Sequence, residues 1–298
     1  MSMPVNDWLL DRSVLCEMAK ITTNREVYVH NLGVKFPRRK LYAHGSDHMK
    51  YIINRLTVKG KGMKIGVCSN VIDFRALKPP MLKDMMTPDW RLWTNAVYKK
   101  QIGNPDIYLE KNLIWDIDAE GEPMVAFRQG EKVCEYLVSQ GYEPMMVFSG
   151  SKGFHVWLNE NDSKKMVGQQ FSDFKSDNAK FLAKAYCEVV KDVFVKATEE
   201  EFRGADLTPV ERQGIIACPY SVHWKTGQIV WPMDENDLKA VRALPADALP
   251  IDIAKAIHEQ ENGQLWNTDV HFTENPMYFT PCHKVFNRGM PVWKGIDG

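Results

Sequence analysis

The chain has 298 residues, 44% of them hydrophobic, and a formal net charge of zero. That length and apolar fraction are enough for a sizeable core, in one large domain or two sharing an interface. A neutral balance excludes a generic basic nucleic-acid coat, whose affinity comes from a broad positive face, but not a site where clustered acids offset nearby lysines and arginines. No stretch reaches the roughly 18 apolar residues needed to span a bilayer, and Met1 to Asp11 carries neither a basic leader nor a long apolar run; a cytosolic chain with no membrane partner is expected. The six cysteines (Cys16, Cys68, Cys134, Cys187, Cys218, Cys282) form no CxxC pair and read as reduced thiols, so no zinc site is predicted; Cys282 beside His283 has no second pair near it in sequence.

In chain order, a helix is expected over Trp8 to Ile21, short strands around Arg25 to Leu32 and Leu41 to Ala43, a helix from Ser46 to Leu56 and a strand at Lys64 to Cys68. From Pro105 the pattern sharpens into an apolar strand, Tyr108 to Asp118, and a helix, Gly130 to Gln140, ended by Gly141. Strands Pro144 to Ser149 and Phe154 to Leu158 follow about a tight turn, then a long helix, Ser176 to Glu200. Strands Gly214 to Cys218 and Gln228 to Met233 are joined by a turn containing Lys225, Thr226 and Gly227, and after Asp234 the chain reads as an acidic helical extension with an irregular tail. This alternation predicts an α/β (α+β) fold with helices on one face of a sheet.

Three segments carry chemistry. In Ile114-Trp115-Asp116-Ile117-Asp118, strand alternation puts Asp116 and Asp118 on one face with Trp115 and Ile117 behind them, and Glu120 continues that face. Two such carboxylates repel unless a cation lies between them, and oxygen ligands favour magnesium or manganese; the alternative is a solvated strand end bearing two acids. In Phe148-Ser149-Gly150-Ser151-Lys152-Gly153-Phe154-His155-Val156-Trp157, the glycines let backbone approach a phosphate, with Lys152 and the hydroxyls supplying charge and hydrogen bonds. His155 can donate to a triphosphate while Trp157, on the same face, covers its flank; the alternative is a hairpin whose polar turn faces water. In Pro219-Tyr220-Ser221-Val222-His223-Trp224-Lys225-Thr226-Gly227, an extended chain would line up Ser221, His223 and Lys225 as a second cationic wall. Asp206, taken alone, has the look of a helix cap or loop acid.

In this order the three segments resemble the catalytic subunit of the archaeo-eukaryotic primases. That family shows an apolar strand ending in Asp-x-Asp, then Ser-Gly-x-Arg/Lys-Gly-x-His, then a third Asp followed by Pro-x-Ser-x-His-x-Lys-Thr-Gly; here these are Asp116-Ile117-Asp118, Ser149 to His155, and Asp206 with Pro219 to Gly227. The motifs cover Leu109 to Met233, and Arg25-Glu26 and Phe36 to Tyr42 look more weakly like the family's N-terminal portion. The resemblance implies a primase or primase-polymerase, joining NTPs or dNTPs on a single-stranded DNA template by a two-metal mechanism. Asp116, Asp118 and Asp206 would hold two Mg2+ or Mn2+ ions; Ser149, Gly150, Ser151, Lys152, His155, Ser221, His223 and Lys225 would bind the nucleotide. It also implies an N-terminal α/β unit (about residues 1–104) packed on an RRM-like catalytic sheet (about 105–240), the site in the cleft between them, and a C-terminal extension (241–298).

Two departures stand out. The basic residue the family usually carries two positions before the third motif's Pro is Ala217 here, so a phosphate contact is either missing or moved to Arg212; and the Cys/His zinc cluster of many primase subunits has no counterpart, pointing to a minimal, zinc-free relative. For the template strand, Arg38, Arg39 and Lys40 beside Tyr42, and Lys59, Lys61 and Lys64 around Gly60 and Gly62, suit a single-stranded path. Trp90 and Trp93, at helical spacing, fit a core or partner surface. The setting would be a cytoplasmic nucleoid or replication complex, with a primase large subunit or helicase as partner. The competing functions are a catalytically weak nucleotide-binding subunit and a metal-dependent nuclease; the phosphate cradle argues against the nuclease and the three acids against a binding-only module.

Overall fold

The computed structural model describes residues 3–4, 9–10, 12–22, 25–31, 38–42, 49–50, 53–54, 63–72, 108–170, 179–203, 205–211, 214–223, 225–259 and 278–279. Lys59, Lys61, Trp90, Trp93, Arg212, Cys282 and His283 lie outside them. After the short β1 (Met3–Pro4), α1 (Arg12–Thr22) buries Val14, Leu15, Met18 and Ile21, a stripe at helical spacing. β2 (Arg25–Asn31), β3 (Arg38–Tyr42) and β4 (Met63–Ile72) then form an antiparallel set in which Val27 faces Val67 and Val29 faces Ile65, all four buried.

The expected strand from Tyr108 to Asp118 is in fact two, β5 (Tyr108–Lys111) and β6 (Ile114–Ile117), in different sheets. Asn112 and Leu113 make the break. The Asn112 N–H donates to the Ser69 carbonyl on β4 at 3.0 Å and its Nδ2 to the Leu158 carbonyl at 2.8 Å, while the Leu113 N–H donates to Ser163 Oγ at 2.8 Å. With these groups satisfied, a buried chain can change sheets without stranding backbone polar atoms.

α2 (Pro123–Ser139) opens on a proline and stops at Gly141, whose φ of +78° lets its N–H reach the Val138 carbonyl at 2.8 Å. There follow β7 (Met145–Phe148), β8 (Phe154–Trp157), α3 (Glu160–Gln170), α4 (Ala179–Thr198), β9 (Ala205–Asp206), β10 (Ile215–Ala217), β11 (Trp231–Pro232), α5 (Glu235–Arg242), α6 (Pro250–Glu259) and β12 (Tyr278–Phe279). The architecture is mixed α/β with antiparallel sheets. One runs β10-β4-β2-β3 with β5 also on β4, a second runs β11-β7-β8-β6-β9, and β1 pairs with β12. The stretch from Gly214 to Cys218 therefore does not pair with Gln228 to Met233. β10 joins β4, β11 joins β7, and the hairpin between them closes instead through the Val222–Ile229 bridge.

α2 and α4 pack on one face of the second sheet. Phe127 meets Phe154 edge-on with ring centroids 5.3 Å apart, and Trp115 Nε1 donates to the Val190 carbonyl at 2.9 Å. Gly130 on α2 faces Met146 and Val156, and a Cβ there would stand 2.7 Å from Met146 Cε, the movable end of that side chain. Trp115, Ile117, Phe154 and Val156 are all buried on this side, each contributing roughly 1.5–3 kcal/mol, and strand alternation then turns Asp116 and His155 to the opposite face. The acidic extension is helical as expected, with Asp234 and Asp237 forming a capping box at the start of α5. Among the described residues no helix is long and apolar enough to cross a membrane.

Candidate active site

β8, β6 and β9 lie side by side, with Asp116 opposite His155 on one flank and opposite Asp206 on the other. His155, Asp116 and Asp206 thus form one row across three strands, on the face away from α2 and α4. His155 is buried and its Nε2 lies 3.4 Å from Asp116 Oδ1. Asp116 and Asp206, like charges at facing positions, repel in the absence of a cation. Asp206 is exposed, and its Oδ1 accepts from the Thr208 N–H at 2.9 Å and the Thr208 hydroxyl at 2.8 Å, which holds it at the start of a short 3-10 turn, Thr208–Val210. Asp206 thus lies at a strand end that runs into a turn, beside Asp116.

Asp118 is placed by other means than strand alternation. β6 ends at Ile117, and Asp118 opens a 3-10 turn, Ala119–Gly121. Glu120 lies in that turn and does not continue the strand face. The Asp118 carboxylate rests against the glycine turn: a Cβ on Gly153 would stand 2.4 Å from its Oδ1 and 2.6 Å from the Ile117 carbonyl. Lys152 Nζ lies 3.3 Å from Asp118 Oδ2, both side chains half exposed.

The turn from Ser149 to Gly153 is knit by the Ser149 N–H donating to the Gly153 carbonyl at 3.0 Å, while Ser149 Oγ accepts the N–H groups of Ser151 and Gly153 at 3.3 and 3.2 Å. Gly150 has φ +77°, and a Cβ there would meet His223 Cβ at 2.8 Å and the Gln228 carbonyl at 3.0 Å. The second and third sequence segments are therefore in contact. Thr226 Oγ1 donates to the Gly150 carbonyl and accepts the Gln228 N–H at 3.3 Å, with His223 Nδ1 3.1 Å away. Thr226 Oγ1 thereby ties the His223 ring to the Gly150 turn. From the sequence Thr226 is only a turn residue and Gly153 only a glycine that admits a phosphate; the tertiary contacts add the bridge to Gly150 and the space for Asp118.

The extended wall of Ser221, His223 and Lys225 does not form. The Gly227 N–H donates to the His223 carbonyl at 2.8 Å and the His223 N–H to the Gln228 carbonyl at 2.7 Å, curling the segment. Ser221 is buried, its hydroxyl directed to the Ile65 carbonyl at 3.4 Å, while His223 is half-buried and Lys225 exposed. Ser151 is half-buried in the glycine turn. Trp157 is buried and lines a cavity farther along β8, not the turn. Arg38, Arg39 and Lys40 lie on β3, which ends the order of the first sheet, and Lys64 lies on β4.

Asp116, Asp118 and Asp206 offer only oxygen, the donor chemistry of a magnesium or manganese site, and glycine at 153 leaves the space that Asp118 needs. Each carboxylate is engaged by a different neighbour, His155, Lys152 or Thr208, and among the described residues no group of three or more His, Cys, Asp or Glu converges as a metal cluster. Asp116, Asp118, Asp206, His155 and Lys152 thus lie together beside the glycine turn.

No protein-family model matches the sequence, and no curated protein matches it. Among solved structures, the chain is similar to the polymerase domain from Mycobacterium tuberculosis Ligase D in complex with DNA, with 13% sequence identity and a TM-score of 0.47 over 85% of this chain and 87% of that one.

Proposed function

We propose that the chain is a template-dependent nucleotidyltransferase of the archaeo-eukaryotic primase family, a primase or primase-polymerase acting on single-stranded DNA. The observation that supports this best is the union of all three motif segments at one place: Asp116 between His155 and Asp206, and the glycine turn touching Asp118 on one side and the His223–Thr226 loop on the other. Asp116, Asp118 and Asp206 are the residues that would hold Mg2+ or Mn2+, which when bound supplies the charge to neutralise the triphosphate and activate a 3′-hydroxyl. Lys152, on a long half-exposed side chain, exchanges Asp118 for phosphate oxygen. His155 donates from Nε2 beside it, and Thr226 fixes the ring of His223. Fixed positive charge at the turn favours the leaving diphosphate more as its charge grows, which is transition-state stabilisation rather than uniform binding.

On this proposal residues up to about 240 form the catalytic region, residues 241–298 an extension, and Arg38, Arg39 and Lys40 belong to the template path, with Arg212 the replacement phosphate contact. A second function, a nucleotide-binding subunit without turnover, is favoured by one observation: Lys152 and His155 sit on the acids that metals would need. Incubating the chain with primed and unprimed single-stranded DNA, Mn2+ or Mg2+, and labelled NTPs or dNTPs separates the two. Template-dependent products lost in Asp116→Ala/Asp118→Ala support the enzyme, and products without primer make it a primase. Nucleotide binding with no product under either metal leaves the binding subunit.

A further inference from the structure

Asp206 sits on β9, which is two residues long and ends the strand order of its sheet, so pairing with β6 alone is a slight hold on it. Its carboxylate is kept by Thr208, at the head of the 3-10 turn Thr208–Val210. That turn is in its own right held from the other sheet. Ser69, on β4, is wholly buried, and its Oγ donates to the Pro209 carbonyl at 2.6 Å.

Ser69 reaches the turn because β4 bulges there. Val27 pairs with Val67 and Arg25 with Val71, so two steps along β2 match four along β4, and Ser69 lies in the excess. The bulge is fastened on both sides. The Ser69 carbonyl accepts the Asn112 N–H at 3.0 Å and Arg25 Nη1 at 2.8 Å, Arg25 being paired with Glu160 on α3, and the Ser69 N–H donates to the Gly214 carbonyl at 3.3 Å. With its backbone groups occupied in this way, Ser69 presents its hydroxyl as a fixed donor. The loop it holds has little freedom. A Cβ on Gly214 would stand 2.1 Å from the Pro209 oxygen and 2.3 Å from the Thr208 oxygen, so the two ends of the loop press together at the oxygen that Ser69 binds. Lys111 Nζ holds the same loop at the Glu211 carbonyl, but Pro209 is the held residue next to Thr208.

We infer that Ser69 is a positioning residue for the cation site of Asp206 and Asp116: through Pro209 and Thr208 it sets where the Asp206 carboxylate stands, touching neither cation nor nucleotide itself. The inference rests on the proposed function for the role of Asp206. The alternative is a hydroxyl that only adds stability, as that of Thr198 does on α4, which packs on the opposite face of the sheet; its Oγ1 donates to the Phe194 carbonyl at 2.8 Å.

The test compares Ser69→Ala with Thr198→Val, each of which removes one buried hydroxyl from the full chain. Mn2+ binding is titrated through the electron paramagnetic resonance signal of the free ion, counting only the ions that Asp206→Asn fails to bind. Single-nucleotide incorporation on a primed template is followed beside it, and thermal melts establish which variants are folded. Ser69→Ala should weaken Mn2+ binding about tenfold and lower kcat by at least as much, with the KM for nucleotide within threefold of wild type. Thr198→Val should stay within twofold in every reading. Ser69→Thr, which keeps the hydroxyl, should restore Mn2+ binding to within threefold. Ser69→Cys, a weaker donor, should fall between wild type and Ser69→Ala, and serves where either of the other Ser69 variants fails to melt cooperatively. Mn2+ binding by folded Ser69→Ala within twofold of wild type overturns the inference, as does an equal loss in Thr198→Val or a folded Ser69→Thr no better than Ser69→Ala. A wild-type chain that binds Mn2+ through Asp206 but joins no nucleotide counts against the proposed function alone, since the Mn2+ comparison still decides the role of Ser69. Absence of any Mn2+ binding that depends on Asp206 overturns both.

Discussion

Gly153→Ala adds a single methyl group at the point where the acidic strand and the glycine turn meet. The new Cβ would stand 2.4 Å from Asp118 Oδ1, 2.6 Å from the Ile117 carbonyl oxygen and 3.4 Å from Asp118 Cα. A relaxed contact needs about 3.5 Å, so something must move by roughly 1 Å. The Ile117 oxygen is backbone on β6 and cannot rotate away. The displacement therefore falls on Asp118 and on the end of the β6–β8 ladder, where Ile117 faces Phe154. Overpacking of this kind costs about 1–3 kcal/mol, a fall in Tm of several degrees, and a misplacement near 1 Å at reacting groups costs roughly a hundredfold in rate. Thermal melting and single-nucleotide incorporation at saturating nucleotide read the two effects separately. A variant that melts with the wild type and incorporates within twofold of it would show that Asp118 does not need this close approach, and the reasoning fails.

Thr226→Val removes the hydroxyl that Gly150, His223 and Gln228 share, and should raise the KM for nucleotide by about 5–30-fold with a smaller change in kcat, Thr226→Ser restoring it; an effect on kcat alone would contradict the positioning role. Glu160→Gln takes the charged partner from buried Arg25, and because Glu160 is itself one-third exposed the expected loss is about 1–3 kcal/mol in urea unfolding, with an unchanged midpoint as the contrary result. Burial pushes the Lys111 amine down to about 8 from 10.5, its proton going to the Glu211 carbonyl at 2.6 Å. Between those two values the unfolded chain binds the extra proton, so Lys111 adds stability as pH rises from 8, by about 3 kcal/mol in all, and adds none below 8. Burial holds the Cys218 and Cys187 thiols above their ordinary range, which acts in the opposite sense at high pH. The quantity to measure is therefore the difference between wild type and Lys111→Met, and a pH-independent difference would refute the shift.

Strand alternation in the sequence was enough to put Trp115 and Ile117 in the core and Asp116 on the opposite face, because a β period of two leaves no other arrangement once one face is buried. It failed at Asn112, where a polar side chain inside an apolar run takes the chain from one sheet to the other through contacts to Ser69 and Leu158, both remote in sequence. α3 was missed since its buried positions, Ser163, Met166 and Val167, make a weak apolar stripe. The facing of Asp116 and Asp206 is a strand-pairing fact between residues ninety positions apart, and no local pattern carries it. Thr226 illustrates the same limit: a turn residue by composition, it is a bridge between two loops only because Gly150 lacks a side chain.

Asp206→Asn tests the central claim most directly. Its side-chain carbonyl can still accept from Thr208, so the loop geometry is kept while one negative charge beside Asp116 is removed. Single-turnover incorporation on a primed template with Mn2+ should fall by at least about a hundredfold, with Tm unchanged or raised by the relief of repulsion. Incorporation at the wild-type rate would contradict the account, because the row of His155, Asp116 and Asp206 would then not be the centre where nucleotides are joined.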